Sequence, residues 1–172
     1  MTPHHRRTFR LCVAIVIAGL VLSGVTAFPL LAEVELLGRW LGLPAGDAAP
    51  AFGPGWWGGF RSWIFELRGG LRVTYERYPW VGYGTDWLAF GHLVIALFFI
   101  DPLLHPEKDH RATLLAGIAA CVGVIPLALI AGEARGIPLG WRLIDCAFGV
   151  VGVVPLLIAW RVSAGGSGAP QR

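Results

Sequence analysis

A chain of 172 residues that is 55% hydrophobic and 15% charged, with eight Trp and a mean hydropathy of +0.63, lies far from the composition of a soluble domain. The formal charge of +3 comes from 14 Lys and Arg scattered over loops and helix ends, and no basic block suited to nucleic acid is present. A large soluble catalytic domain is excluded, because apolar runs occupy roughly half the chain.

Four such runs, at 11–31, 81–100, 112–131 and 141–160, are each about 20 residues long, enough to cross ~30 Å of hydrocarbon at 1.5 Å per residue. The expected fold is all-α. It is a single integral-membrane four-helix bundle over 1–172, with an outward-facing amphipathic segment at 32–80 and a disordered Gly/Ser-rich tail at 163–172. Arg6, Arg7 and Arg10 precede the first run with no acid among them, which puts the N-terminus in the cytoplasm, and an even number of spans returns the C-terminus there. Basic residues divide seven and seven between the two sides, so the first helix decides the orientation. Val25-Thr26-Ala27 has the small residues of a signal-peptide cleavage site, but the apolar run continues to Leu31 and is long for a signal core; an uncut helix is expected.

Between the first two spans, Glu33 to Leu43 reads as a short amphipathic helix after Pro29, with Val34, Leu37, Trp40 and Leu41 on one side. A Pro/Gly-rich break at 44–55 follows. Then Trp56, Phe60, Trp63, Leu67, Leu71 and Tyr78 recur at helical spacing, with Arg61, Arg68 and Arg72 on a neighbouring stripe. That pattern predicts an interfacial helix with aromatic rings in the belt and guanidinium groups toward phosphate, bent or cut short at Gly69-Gly70.

The second span carries Tyr83, Thr85, Asp86 and His92. His92 is the deepest, about 16 Å from the start of its span, and Asp86 stands roughly 120° around the helix from it. In the third span, Ala112, Ala116, Ala120 and Gly123 form a small-sided face for close packing. The fourth has a stripe of Arg142, Asp145, Gly149, Gly152, Leu156 and Ala159, charged at its start and small-sided beyond, which is expected to face protein. Pro126 and Pro155 are expected to kink the last two spans, each freeing a carbonyl that must find a partner inside the bundle. Cys12, Cys121 and Cys146 all fall inside spans and read as small apolar residues; a Cys121 to Cys146 bond is conceivable but nothing in the spacing demands it.

Topology brings Tyr83, Asp86, His92, Glu133, Arg135, Arg142 and Asp145 to one end of the spans. Glu133, Arg135, Arg142 and Asp145 can form a charge-paired lock, while Asp86, His92 and Asp145 are the candidates for acid–base chemistry and Tyr83, Glu133, Arg135 and Arg142 for polar binding. No metal site and no cofactor are expected: a lone intramembrane His with scattered carboxylates falls short of three or four ligands, and a b-type haem needs two axial ligands where only His92 is available. No Ser nucleophile motif, phosphate loop or CxxC pair occurs.

Ser23-Gly-Val-Thr-Ala-Phe-Pro29, Tyr83-Gly-Thr-Asp-Trp-Leu-Ala-Phe-Gly-His92, Ile125-Pro-Leu-Ala-Leu-Ile-Ala-Gly132, Arg135-Gly-Ile-Pro138 and Trp141-Arg-Leu-Ile-Asp-Cys146 resemble a family of small four-span bacterial inner-membrane proteins with no assigned activity. The resemblance implies a bacterial inner-membrane location and supplies no catalytic residue. Two functional expectations remain. The first is a small interaction or ligand-binding membrane protein with a polar pocket near the outer leaflet, its partners being the bilayer, a second copy, or another membrane protein. The second is a membrane-embedded enzyme acting on a lipid or quinone head group through Asp86, His92 and Asp145.

Overall fold

A computed structural model describes residues 1–164, and among these the chain is helical with no strand. The helices are α1 (Pro3–Ala27), α2 (Leu30–Trp40), α3 (Gly55–Arg77), α4 (Pro79–Leu97), α5 (Ile100–Leu104), α6 (Arg111–Ala134) and α7 (Leu139–Ala164). Four stretches are long and apolar enough to cross a membrane: Pro3–Ala27, Pro79–Leu104, Arg111–Ala134 and Leu139–Ser163. Each contains one predicted apolar run, or all of it but its last residues, and extends beyond the run at its N-terminal end, because backbone hydrogen bonding continues into the polar flank. Of the tail expected at 163–172, residues 163 and 164 close α7, and 165–172 lie outside the described residues. The described chain divides into two compact units, one of Met1–Leu22 with His92 onward, the other Ser23–Gly91.

In the first unit, Phe9, Cys12 and Val13 of α1 pack with Phe99, Leu114 of α6, and Leu156 and Ala159 of α7 to form a buried core. The closest association is the antiparallel hairpin of α6 and α7. Its turn depends on Gly136, whose φ of 70° lies in the left-handed region. From there Gly136 N–H donates to the Glu133 carbonyl (3.0 Å) and Ile137 N–H to the Gly132 carbonyl (2.9 Å), closing α6 with the paired bonds of a Schellman motif. Pro138 then starts the return.

The small-sided stripe of α7 faces protein as expected: Gly149, Leu156 and Ala159 are buried and Arg142, Asp145 and Gly152 half-buried. The face expected on α6 is wrong. Ala112, Ala116, Ala120 and Gly123 are all exposed, and the hairpin is built instead on Leu114, Gly117 and Cys121. A Cβ on Gly117 would come within 2.9 Å of the Phe99 ring and 3.1 Å of Leu156 Cδ1; one on Gly152 would lie 2.8 Å from Cys121 Sγ; and one on Gly149 would run into the Cys121 carbonyl oxygen. Small residues recur all round this helix, so spacing alone did not select the side on which a partner backbone lies. Cys121 and Cys146 are free thiols, and Cys146 Sγ points to the Ile125 carbonyl at 3.9 Å. Both prolines sit inside continuous helices. Outward positions such as Leu127, Ile130, Phe148 and Val151 are strongly exposed, as lipid-facing side chains of a span must be.

The second unit is organised by α3 against α2, with Val34, Gly38, Ile64 and Arg68 buried between them. α3 runs through Gly69-Gly70 without a break. Two of the three stripe arginines, Arg68 and Arg72, do not have the predicted role. Arg72 bonds Glu35 at 2.8 Å and Asp47 at 3.4 Å, while buried Arg68 donates to the Gly46 carbonyl at 3.3 Å and lies 5.1 Å from the Phe65 ring centre. Acids on α2 and in the Pro/Gly-rich loop come within reach once the chain folds back, and they capture groups the periodicity had assigned to phosphate. The Arg72 hydrogen bond holds the Glu35 carboxyl below the ordinary glutamate range. The aromatic stripe fares better: Trp56 stacks on Phe60 (5.6 Å, 9°) with Trp57 beside both, and Trp56 and Trp57 stay exposed.

Candidate functional site

Glu133, Arg135, Arg142 and Asp145 of the first unit lie where the α6–α7 hairpin turns. Glu133 is in the last turn of α6, and Arg142 in the first turn of α7 comes back alongside it. The side chains form an ion pair, and Arg142 Nη1 also donates to the Leu129 carbonyl at 3.2 Å. Gly132 makes the crossing feasible. A Cβ there would lie 2.6 Å from Arg142 Cδ and 2.7 Å from Cγ, so the aliphatic stem of the arginine occupies the space a side chain would fill. The pair is asymmetric: the Arg142 side chain is 13% exposed and that of Glu133 71%. Arg142 Nε is buried with no partner among the described residues, so this cation depends strongly on the two contacts it has.

The expected lock includes Asp145, three residues from Arg142 along the same face of α7. Instead the guanidinium crosses to α6, leaving Asp145 half-buried in the span with neither a hydrogen bond nor an ion pair to any described residue. Arg135 caps α6 through its backbone N–H, which donates to the Ala131 carbonyl, and its side chain is exposed. The lock is therefore a two-residue pin, Glu133 and Arg142, rather than a four-residue network.

His92 is half-buried near the C-terminal end of α4 and belongs to the same unit as Asp145. Tyr83 and Asp86 belong to the second unit. There Tyr83 stands exposed at the head of an aromatic ladder that continues to Trp87 (6.1 Å) and Phe90 (6.1 Å), Asp86 is half-buried, and Thr85 shares a hydrogen bond with Tyr75 at 3.3 Å. The site expected around Asp86, His92 and Asp145 thus draws its members from both units.

Nothing matches this chain among protein-family models, curated proteins or solved structures. Its chemistry rests on its own geometry.

One polar group escaped the sequence reading. Asp101 in α5 accepts from His105 Nδ1 at 2.7 Å and from Lys108 Nζ at 3.2 Å, while buried His110 donates from Nε2 to the His105 carbonyl at 2.9 Å and lies 6.3 Å from the Phe9 ring. These bonds fold the 105–110 connection onto the end of the core. The signal is present in the sequence: Asp101 and His105 are spaced i, i+4, one helical turn apart.

Proposed function

We propose that this is a small multi-pass protein of the bacterial inner membrane, with both termini cytoplasmic and 32–80 outside, whose work is recognition rather than chemistry. In this reading Asp145, near the outer leaflet, receives a basic or polar group from a partner membrane helix, a second copy of the chain or a lipid head group. The observation that carries it is the pairing of Arg142 with Glu133, which leaves Asp145 as a half-buried carboxyl in a span with no partner among the described residues. An ionisable group in that position is costly, which makes it a candidate for a functional contact.

Asp145→Asn separates recognition from structure. A carboxyl with no internal partner contributes no attraction to lose, so the variant is expected to unfold within about 0.5 kcal/mol of wild type, or to be slightly more stable, since removing an unpaired charge from a poorly solvated position is favourable. Native mass spectrometry after gentle solubilisation is expected to show copurifying lipid or protein, or the oligomer, reduced about tenfold or more, the loss typical of one desolvated charged contact. A large fall in thermal stability with the bound species retained would make Asp145 a structural residue and defeat the reading.

A further inference from the structure

We propose that the open, solvent-exposed recess of about 360 Å³ at the start of α1, lined by Met1, Pro3, Arg6, Arg7 and Arg10, binds a phosphate-bearing anion. Every ionisable side chain on its wall is a guanidinium, charged at any physiological pH. All three arginines are exposed and water screens their mutual repulsion, yet none of them forms an ion pair with a described residue, so no acid of the described chain occupies the place an anion would take among them. The neighbouring recess makes the contrast plain. There Lys108 and Arg111 share the wall with Glu107 and Asp109, so its charge is balanced from within the protein.

Arg10 shows how the site is held. Its Nη2 donates to the Leu104 carbonyl at 3.2 Å, tying the guanidinium to the end of α5 while the rest of its planar fork stays available. Arg6 lies one helical turn before Arg10, so the two project from neighbouring positions of one face, with Arg7 beside them. Convergent planar donors of this kind suit the oxygens of a phosphate, which they bind bidentately. The volume lies in the range of small-molecule pockets, ~300–1,000 Å³, which suits a diphosphate or a phosphate with its attached alcohol. The first apolar run begins at Leu11, immediately after Arg10, so the cavity stands at the level of lipid head groups. An anionic head group and a soluble phosphate compound therefore share the chemistry, and the proposal is independent of any role for Asp145.

The test uses the full chain in mild detergent, titrated with inorganic pyrophosphate and, separately, with phosphatidylglycerol against phosphatidylcholine in mixed micelles, with bound species counted by native mass spectrometry. Wild type is compared with Arg6→Gln/Arg7→Gln, which leaves the Arg10 to Leu104 bond intact, and with the triple variant that adds Arg10→Gln. Each basic residue near an anionic group contributes about fivefold in affinity, so the double variant is expected to lose roughly 20-fold and the triple roughly 100-fold. Circular dichroism checks that both remain helical. Selective retention of phosphatidylglycerol assigns the site to a lipid head group, and binding of pyrophosphate without that selectivity assigns it to a soluble phosphate. Binding by both variants equal to wild type, or no binding of either probe by wild type, overturns the proposal.

Discussion

Gly149→Val is expected to be the most damaging single substitution in the apolar part of the chain. Even the Cβ of alanine at this position would run into the Cys121 carbonyl oxygen, which belongs to the backbone of α6 and cannot swing aside. The two helices must separate, losing contacts along the hairpin around Gly149, Gly152 and Leu156. Overpacking a close interface costs ~1 to 3 kcal/mol, and Gly149→Ala should fall in that range even after the gain in helix propensity; the branched valine should exceed it. Gly123→Ala is the matched control. It lies on the same hairpin but its Cβ meets open space, so it is expected to be neutral or to stabilise by up to about 1 kcal/mol. Thermal unfolding in detergent, followed by circular dichroism, ranks the three. Equal losses for Gly149→Ala and Gly123→Ala would mean that the hairpin is not packed through Gly149.

The Glu133–Arg142 pin should respond differently according to which partner is removed. Glu133→Gln leaves a guanidinium that is largely out of solvent with the Leu129 carbonyl as its remaining acceptor. Stranding a fully buried charge costs ~3 to 5 kcal/mol, but Glu133 is mostly exposed and water screens the pair, so a loss of about 1 to 2 kcal/mol is expected. Arg142→Gln strands an exposed carboxylate that water solvates readily, and its cost should be smaller and due mainly to lost packing over Gly132. The double variant should be less damaged than the sum of the two. These differences are read from unfolding midpoints at low and high salt. A greater loss in Arg142→Gln than in Glu133→Gln would show that the arginine's stem, not its charge, holds the turn.

Spans, helical class and the α7 packing stripe were legible because they follow from length, hydropathy and a 3.6-residue period. The α6 face was not, since nearly every turn of that helix offers an Ala or Gly and the choice was made by the Gly136 turn and by where Cys121 meets Gly149. Which acid of the expected lock pairs with Arg142 was not legible for a related reason. Along one helix, Arg142 and Asp145 are neighbours, whereas the pairing with Glu133 depends on how tightly Ile137 and Pro138 reverse the chain and on the space left by Gly132. Arg68 and Arg72 follow the same logic: their acceptors lie 22 and 25 residues away in the Pro/Gly-rich loop, with Glu35 still farther, and only the fold brings them near. Local pattern located the charged groups, and chain reversal decided which of them would be left without a partner.

The functional reading stands on a bilayer crossed four times, with the arginine-lined end of α1 and the α2–α3 segment emerging on opposite sides. Single cysteines introduced into a chain carrying Cys12→Ala, Cys121→Ala and Cys146→Ala test this in intact cells with a membrane-impermeant maleimide. Gly55→Cys, at the start of α3, is expected to label without permeabilisation, and Lys108→Cys, between α5 and α6, only after it. Labelling of Lys108→Cys in intact cells with Gly55→Cys protected would invert the orientation and move Asp145 to the cytoplasmic side; labelling of both without permeabilisation would contradict the four-span arrangement itself.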